Sequence, residues 1–101
     1  MKNELKNFFN KAGDAARSTT LSLEKAVFRT KLGLLSRGET VSDDTFASAI
    51  DDATHHFGIE EKSFRDAFSL SKGAVDRWAH RANLPQPFVR PKILRWVREQ
   101  L

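Results

Sequence analysis

The sequence contains no cysteine, which excludes a disulfide framework and any zinc site with cysteine ligands. The three histidines alone do not restore a metal site, and a phosphate-binding loop is missing as well. The paired carboxylates Asp51/Asp52 and Glu60/Glu61 are sequence neighbours, so they do not face one substrate atom from a helix. We therefore expect neither catalysis nor a cofactor or metal.

Long apolar runs are also absent. No stretch approaches the roughly 20 apolar residues that a membrane-spanning helix needs, and the N-terminus lacks the apolar core of a secretion signal. Tyrosine is absent and no segment alternates between apolar and polar residues, so strands are not predicted. These absences favour a cytoplasmic protein that has no membrane partner.

Helical periodicity is present throughout the chain, whose 101 residues fit one small domain. Apolar residues recur at three- and four-residue spacing in six segments. These segments are approximately 3–16, 21–36, 43–57, 60–68, 72–82 and 88–100. The sequence therefore predicts an all-α fold, a small helical bundle of five to six helices, in which residues 1–40 form a helical N-terminal extension.

Polar residues and glycines mark the predicted helix ends. Ser42 and Ser71 are suitable N-caps for the third and fifth segments. Gly38 and Gly58 are placed to stop the second and third segments, and Asn83 can adopt the left-handed conformation that ends the fifth.

The second segment has two apolar stripes on nearly opposite sides. One comprises Leu23, Val27 and Leu34, and the other comprises Leu21, Phe28, Leu32 and Leu35. A helix that is apolar on two sides is either deeply buried or shared with a partner. Two interpretations remain open: residues 1–36 form a homodimer interface, or the amphipathic segment 3–16 covers the second stripe within the chain.

Charge is distributed in blocks along a chain whose net charge is +4. Residues 41–61 contain six acidic side chains and no Lys or Arg, whereas residues 62–101 contain nine basic and three acidic side chains. A basic block beside an acidic one favours a directed electrostatic face for an anionic partner, although charge blocks are also often just solvated surface.

The stretch "SFRDAFSLSKGAVDRW" resembles the core of phage-repressor-type (Cro- and XRE-like) helix-turn-helix domains. The succeeding "NLPQPFVRPKI" is similar to the turn of that family into its next helix. The resemblance covers roughly residues 43–101, and the predicted helix-turn-helix domain is 41–101. It implies double-stranded DNA as a partner and a bacterial, phage or plasmid source. It also implies roles in the motif core for Phe64, Phe68, Leu70, Ser71, Val75 and Trp78.

Three residues depart from the family pattern. Ser69 stands where the family usually has a glycine with positive φ, and a serine replaces it either at an energetic cost or with a wider turn. Arg65 replaces a small residue at the helix crossing, so we expect a buried stem and a solvated head. Glu61 replaces a glutamine that approaches a phosphate, and Lys62 is expected to supply that contact instead.

The resemblance assigns the DNA contacts to the start and the exposed face of the fifth segment. An α-helix fits the major groove, where arginine or lysine binds guanine and a carboxylate accepts from cytosine. The predicted base-contacting residues are Lys72, Gly73, Asp76 and Arg77. The predicted phosphate-contacting residues are Lys62, Ser63, Arg81, Arg90 and Lys92. For Arg95 and Arg98 a solvated face is an equal alternative, and Trp78 and Trp96 are expected in the core.

We expect, from this resemblance, a sequence-specific DNA-binding transcription regulator that acts as a dimer on an inverted repeat. Two alternatives remain: a protein–protein interaction module such as an antitoxin-like or adaptor subunit, and a non-specific nucleic-acid-binding protein.

Overall fold

The computed structural model describes residues 20–38 and 40–101, which form an all-helical domain. Helix α1 covers residues 20–35. It is followed by α2 (Asp43–Asp51), α3 (Glu61–Phe68), α4 (Ala74–Ala79) and α5 (Arg90–Gln100). The described residues contain no strand, so the predicted all-α fold class is confirmed. No helix in these two ranges is long and apolar enough to cross a membrane.

Helix α1 agrees with the second predicted segment, whereas the first, 3–16, lies outside the described residues. Phe28 and Leu32 of one apolar stripe are buried in the core. The other stripe is exposed: Leu23 retains 62%, Val27 69% and Leu34 66% of its accessible surface. Among the described residues, nothing covers this second stripe.

The predicted helix ends around α2 are confirmed. Ser42 Oγ accepts a hydrogen bond from the Thr45 N–H at 3.3 Å, which satisfies a donor that the first turn would leave unpaired. Gly58 has a φ of 75°, which a glycine adopts without strain. Gly38 follows the end of α1, and its N–H donates to the Leu35 carbonyl at 3.2 Å.

Helix α2 continues into a π-helical turn, Asp52–His56. The wider turn is closed by the Phe57 N–H, which donates to the Asp52 carbonyl at 3.0 Å. The Phe57 ring then stacks on Phe28 of α1, with 4.8 Å between the ring centroids. The end of α2 and the middle of α1 therefore pack directly against each other.

Helix α4 is shorter than predicted. Ser71 was expected to cap a helix over 72–82, but α4 covers Ala74–Ala79 and its N-cap is Gly73. Gly73 has a φ of 84°, and a right-handed helix cannot continue through that conformation. The Ser71 carbonyl instead accepts from the Ala74 N–H at 3.2 Å, in a turn before the helix.

The C-terminal end of α4 also comes early. His80 and Arg81 form a turn, and Arg81 has a φ of 62°. The left-handed conformation predicted for Asn83 is confirmed, with a φ of 49°. The chain therefore leaves α4 through two left-handed residues before it reaches Pro85.

One core joins all five helices. Phe46 and Ile50 of α2, Phe64 of α3 and Leu94 of α5 are fully buried, and Leu32 of α1 belongs to the same cluster. Residues 20–35 are thus packed into the core of the part that follows residue 40. The helices that carry the predicted DNA contacts therefore rest on one shared core.

Candidate nucleic-acid interface

The α3–α4 corner, residues 61–77, contains the predicted helix-turn-helix elements. Helix α3 ends at Phe68, and its C-cap Ser69 is left-handed, with a φ of 54° and a ψ of 48°, as the family's glycine is at this position. The N–H groups of Ser69 and Leu70 both donate to the Arg65 carbonyl. These bonds satisfy the last turn of α3 and redirect the chain towards α4.

Glu61 fixes the angle of the corner. Its Oε1 accepts a hydrogen bond from the Gly73 N–H at 2.7 Å, so the start of α3 is bound to the start of α4. A carboxylate acceptor makes this a strong, charge-assisted bond. Glu61 therefore points to the protein's own backbone, and it is a positioning residue that the sequence motif did not reveal.

Aromatic contacts anchor both helices of the corner. The rings of Phe64 and Phe68 contact Trp96 of α5, with centroid distances of 4.7 and 5.3 Å. Trp78 packs edge-on against Phe46 at 5.6 Å. Trp78 therefore belongs to the core, as predicted, and Trp96 is half-buried and packs against that core.

The predicted base-contacting surface is partly accessible. Lys72 is exposed, whereas Gly73 and Arg77 are half-buried. Arg77 Nη2 donates to Ser71 Oγ at 3.3 Å, and Nε is buried without a partner among the described residues. Only the terminal nitrogens of Arg77 can therefore reach a base edge.

Asp76 faces a different environment from Arg77. Its carboxylate is exposed and lies 3.7 Å from His80 Nδ1. With Glu60 and Glu61, Asp76 lines an acidic cleft of about 290 Å³. No side-chain hydrogen bond joins Asp76 to Arg77 in the described part of the chain.

The predicted phosphate-contacting residues are split between three places. Lys62 is exposed and Ser63 half-buried in the first turn of α3, beside Glu61. Lys92 is exposed on α5. Arg81 Nε donates to Asp44 Oδ1 at 2.6 Å in an exposed ion pair, which occupies part of its guanidinium.

Arg90 does not belong to the phosphate-contacting set. Its side chain is buried, with 4% of the residue's surface accessible. Nη1 donates to the Val41 carbonyl and to Asp43 Oδ1, each at 2.7 Å, and Nε donates to the Pro85 carbonyl at 2.9 Å. Because these acceptors occupy its donors, Arg90 stabilises the fold, and its prediction as a DNA contact is wrong.

Sequence reasoning also missed a second cluster of cations, which lies between α1 and α5. Arg29 and Arg37 meet Arg95 and Arg98 there, around a groove of about 430 Å³. The basic residues that recur in 21–36 indicated a positively charged side of α1. They did not indicate that this side lies beside the basic residues of α5.

The histidines make local contacts. His55 Nδ1 lies 2.8 Å from Asp51 Oδ1, and His56 Nε2 lies 2.7 Å from Glu24 Oε2. Within 20–38 and 40–101, no three His, Asp or Glu side chains are grouped to hold a metal ion. Comparisons of this chain with known protein families, with characterised proteins and with solved structures give no match.

Proposed function

We propose that this protein is a sequence-specific regulator of transcription that binds double-stranded DNA in the cytoplasm, on the nucleoid. The observation that carries the proposal is the Glu61–Gly73 hydrogen bond of 2.7 Å. It holds the neighbouring exposed cations, Lys62 and Lys72, at one rigid corner. A corner that presents cations beside a short helix suits the major groove and its flanking phosphates.

The corner divides the contacts by chemistry. Arg77 and Lys72 bind base edges, because their nitrogens are donors that match guanine O6 and N7. Gly73 allows the backbone to approach closely, and Asp76 accepts from cytosine when α4 enters the groove. Lys62, Ser63, Arg81 and Lys92 bind phosphates, which position the protein without specifying a sequence.

A homodimer supplies the number of contacts that one corner lacks. The exposed stripe of α1, Leu23, Val27 and Leu34, is an apolar surface of three large side chains on one helix face. Pairing of this stripe between two copies would remove it from water and repeat the corner across a two-fold axis. Such a dimer matches an inverted repeat with half-sites about 34 Å or a multiple apart.

A protein–protein interaction module is the second candidate function. A groove of about 570 Å³ runs beside the α1 stripe and is lined by Leu23, Val27, Phe28 and Phe57. An apolar groove of this kind accepts the apolar face of a partner helix. In that case the protein is an adaptor or an antitoxin-like subunit, and it selects no DNA sequence.

Selection from a random pool of duplex DNA tests the proposal. Enrichment of an inverted repeat is the expected result, whereas no enrichment supports the interaction module. With the selected site in hand, Arg77→Ala should lose about 1–3 kcal/mol of discrimination at one base position. The matched control, Lys92→Ala, should weaken binding to every sequence about equally. An Arg77→Ala variant with unchanged preference would contradict the assigned face.

A further inference from the structure

The groove between α1 and α5 concentrates positive charge. Arg29 and Arg37 line it from the α1 side, and Arg95 and Arg98 line it from α5, with Glu99 as the one carboxylate of the lining. An adjoining cavity of about 390 Å³ is also lined by Arg29 and Arg98, and it extends the groove to Lys25. Five cations therefore line two neighbouring depressions that share Arg29 and Arg98.

These cations have few partners of their own. Among the described residues, the ion pairs involve only His55, His56, His80, Arg81 and Arg90 on the basic side. Arg95 Nη2 donates to the Ser36 carbonyl at 3.4 Å, which holds it at the groove wall. Four arginines gathered around a single carboxylate, Glu99, repel one another, and a bound polyanion would offset that repulsion.

Gly33 shapes the floor of the groove. A Cβ at this position would stand 3.5 Å from Arg98 Nε, so the guanidinium lies directly along the α1 backbone. The Ser36 hydroxyl donates to the Gly33 carbonyl at 3.0 Å and so already has an acceptor of its own. The groove thus presents guanidinium groups, with small residues between them.

The length of the groove indicates an extended ligand. Lys25 and the last residue of α1, Leu35, are ten positions apart, which corresponds to about 15 Å along the helix axis, and Arg37 lies in the turn beyond. One DNA strand carries a phosphate about every 3.4 Å of helix axis, so roughly four phosphates span the same distance. Guanidinium groups match phosphate oxygens with two parallel hydrogen bonds.

We propose that the α1–α5 groove binds the phosphate backbone of nucleic acid as a second, sequence-independent contact. The proposal rests on the proposed function for the identity of the polymer. An acidic protein segment is the competing ligand. The groove of about 430 Å³ favours nucleic acid, because no large apolar side chain lines it to hold the anchor residue of a peptide.

The test compares two variants that each remove one charge from an exposed position of α1. Arg29 lines the groove, whereas Lys31 lies on the side of α1 that faces the apolar groove. Binding of the full chain to random-sequence duplex is titrated at several salt concentrations. Arg29→Gln should reduce the magnitude of the negative slope of log K against log salt by about 0.9. The double variant Arg29→Gln with Arg98→Gln should reduce it by about 1.8, whereas Lys31→Gln should keep the parental slope.

Thermal unfolding of each variant verifies that it is folded. We expect no loss of stability, because Arg29 and Arg98 are exposed and their removal relieves charge repulsion. Equal slopes for Arg29→Gln and Lys31→Gln would overturn the groove proposal. It would also be overturned if Arg29→Gln weakened binding to poly-glutamate and left duplex binding unchanged.

A further comparison separates the groove from the corner. If the protein selects an inverted repeat but Arg29→Gln keeps the parental slope, the proposed function stands and the groove proposal fails. If instead Arg29→Gln lowers the slope but no sequence is selected and Lys62→Gln with Lys72→Gln has no effect, the groove stands and the proposed function fails.

Discussion

Arg90 shows how one buried cation can connect distant parts of a small chain. Its guanidinium joins the start of α5 to Val41 and Asp43, which are 49 and 47 positions away, and to Pro85 in the preceding connector. It also lies 5.7 Å from the centroid of the Phe46 ring. Arg90 was assigned to a phosphate contact because its side chain is basic. The internal contacts were not predicted, because the residues that accept from Arg90 are remote in the sequence.

Replacement of this side chain should cost stability. Arg90→Ala leaves two carbonyls and a carboxylate without their donor, and we expect it to lower the free energy of unfolding by about 3 kcal/mol. The control Lys92→Ala, two positions on and exposed, should change it by less than about 0.5 kcal/mol. Urea unfolding followed by circular dichroism measures both, and equal midpoints would show that the Arg90 contacts contribute little.

The connector between α3 and α4 is an element built on two left-handed residues. Ser69 occupies the position of a glycine that has a positive φ in the resembling family, and in the structure this serine is left-handed as well. Gly73 was assigned to a helix interior because nothing local distinguishes a helical glycine from a left-handed one. In its left-handed conformation, Gly73 donates its N–H to Glu61, which lies twelve positions earlier in the chain.

Two glycine replacements test this interpretation with the same chemical change. Gly73→Ala places a Cβ at positive φ and 3.1 Å from Arg77 Nη1, so we expect a loss of about 1 kcal/mol or more. Gly33→Ala lies in α1, where the nearest atom would be at an ordinary 3.5 Å, so we expect a gain of about 0.5–1 kcal/mol. Melting temperatures that shift in the same direction for both variants would contradict the assignment.

At the scale of the whole molecule, patterns local to one helix were predictable and relations between helices were not. The two apolar stripes of α1 were predictable, but which of them is buried was not, and the structure buries Phe28 and Leu32. The sequence also distinguished the second stripe, but it left open what covers that stripe. The α1–α5 groove combines cations about 60 positions apart, such as Arg37 and Arg98, and only the packing of the two helices brings them together.

Self-association is the prediction at this scale. We expect sedimentation equilibrium to give twice the mass of one chain, and Leu23→Glu with Val27→Glu to give a monomer, because charges on the exposed stripe oppose its burial. Ser22→Glu is the control, since Ser22 is exposed on α1 and lies about 100° around the helix from Leu23, on the side away from Val27 and Leu34. A wild-type protein that stays monomeric at all concentrations, or a double variant that still pairs, would rule out this interface.

The stack of Phe28 on Phe57 has a practical consequence for engineering. Glu24 meets His56 beside that stack, so α1 shields the widened end of α2 through both an aromatic and a polar contact. A graft of the corner into a chimera that begins at residue 41 would remove Phe28 and expose the face of Phe57 that it covers. The transplantable unit therefore includes α1, with both Glu24 and Phe28.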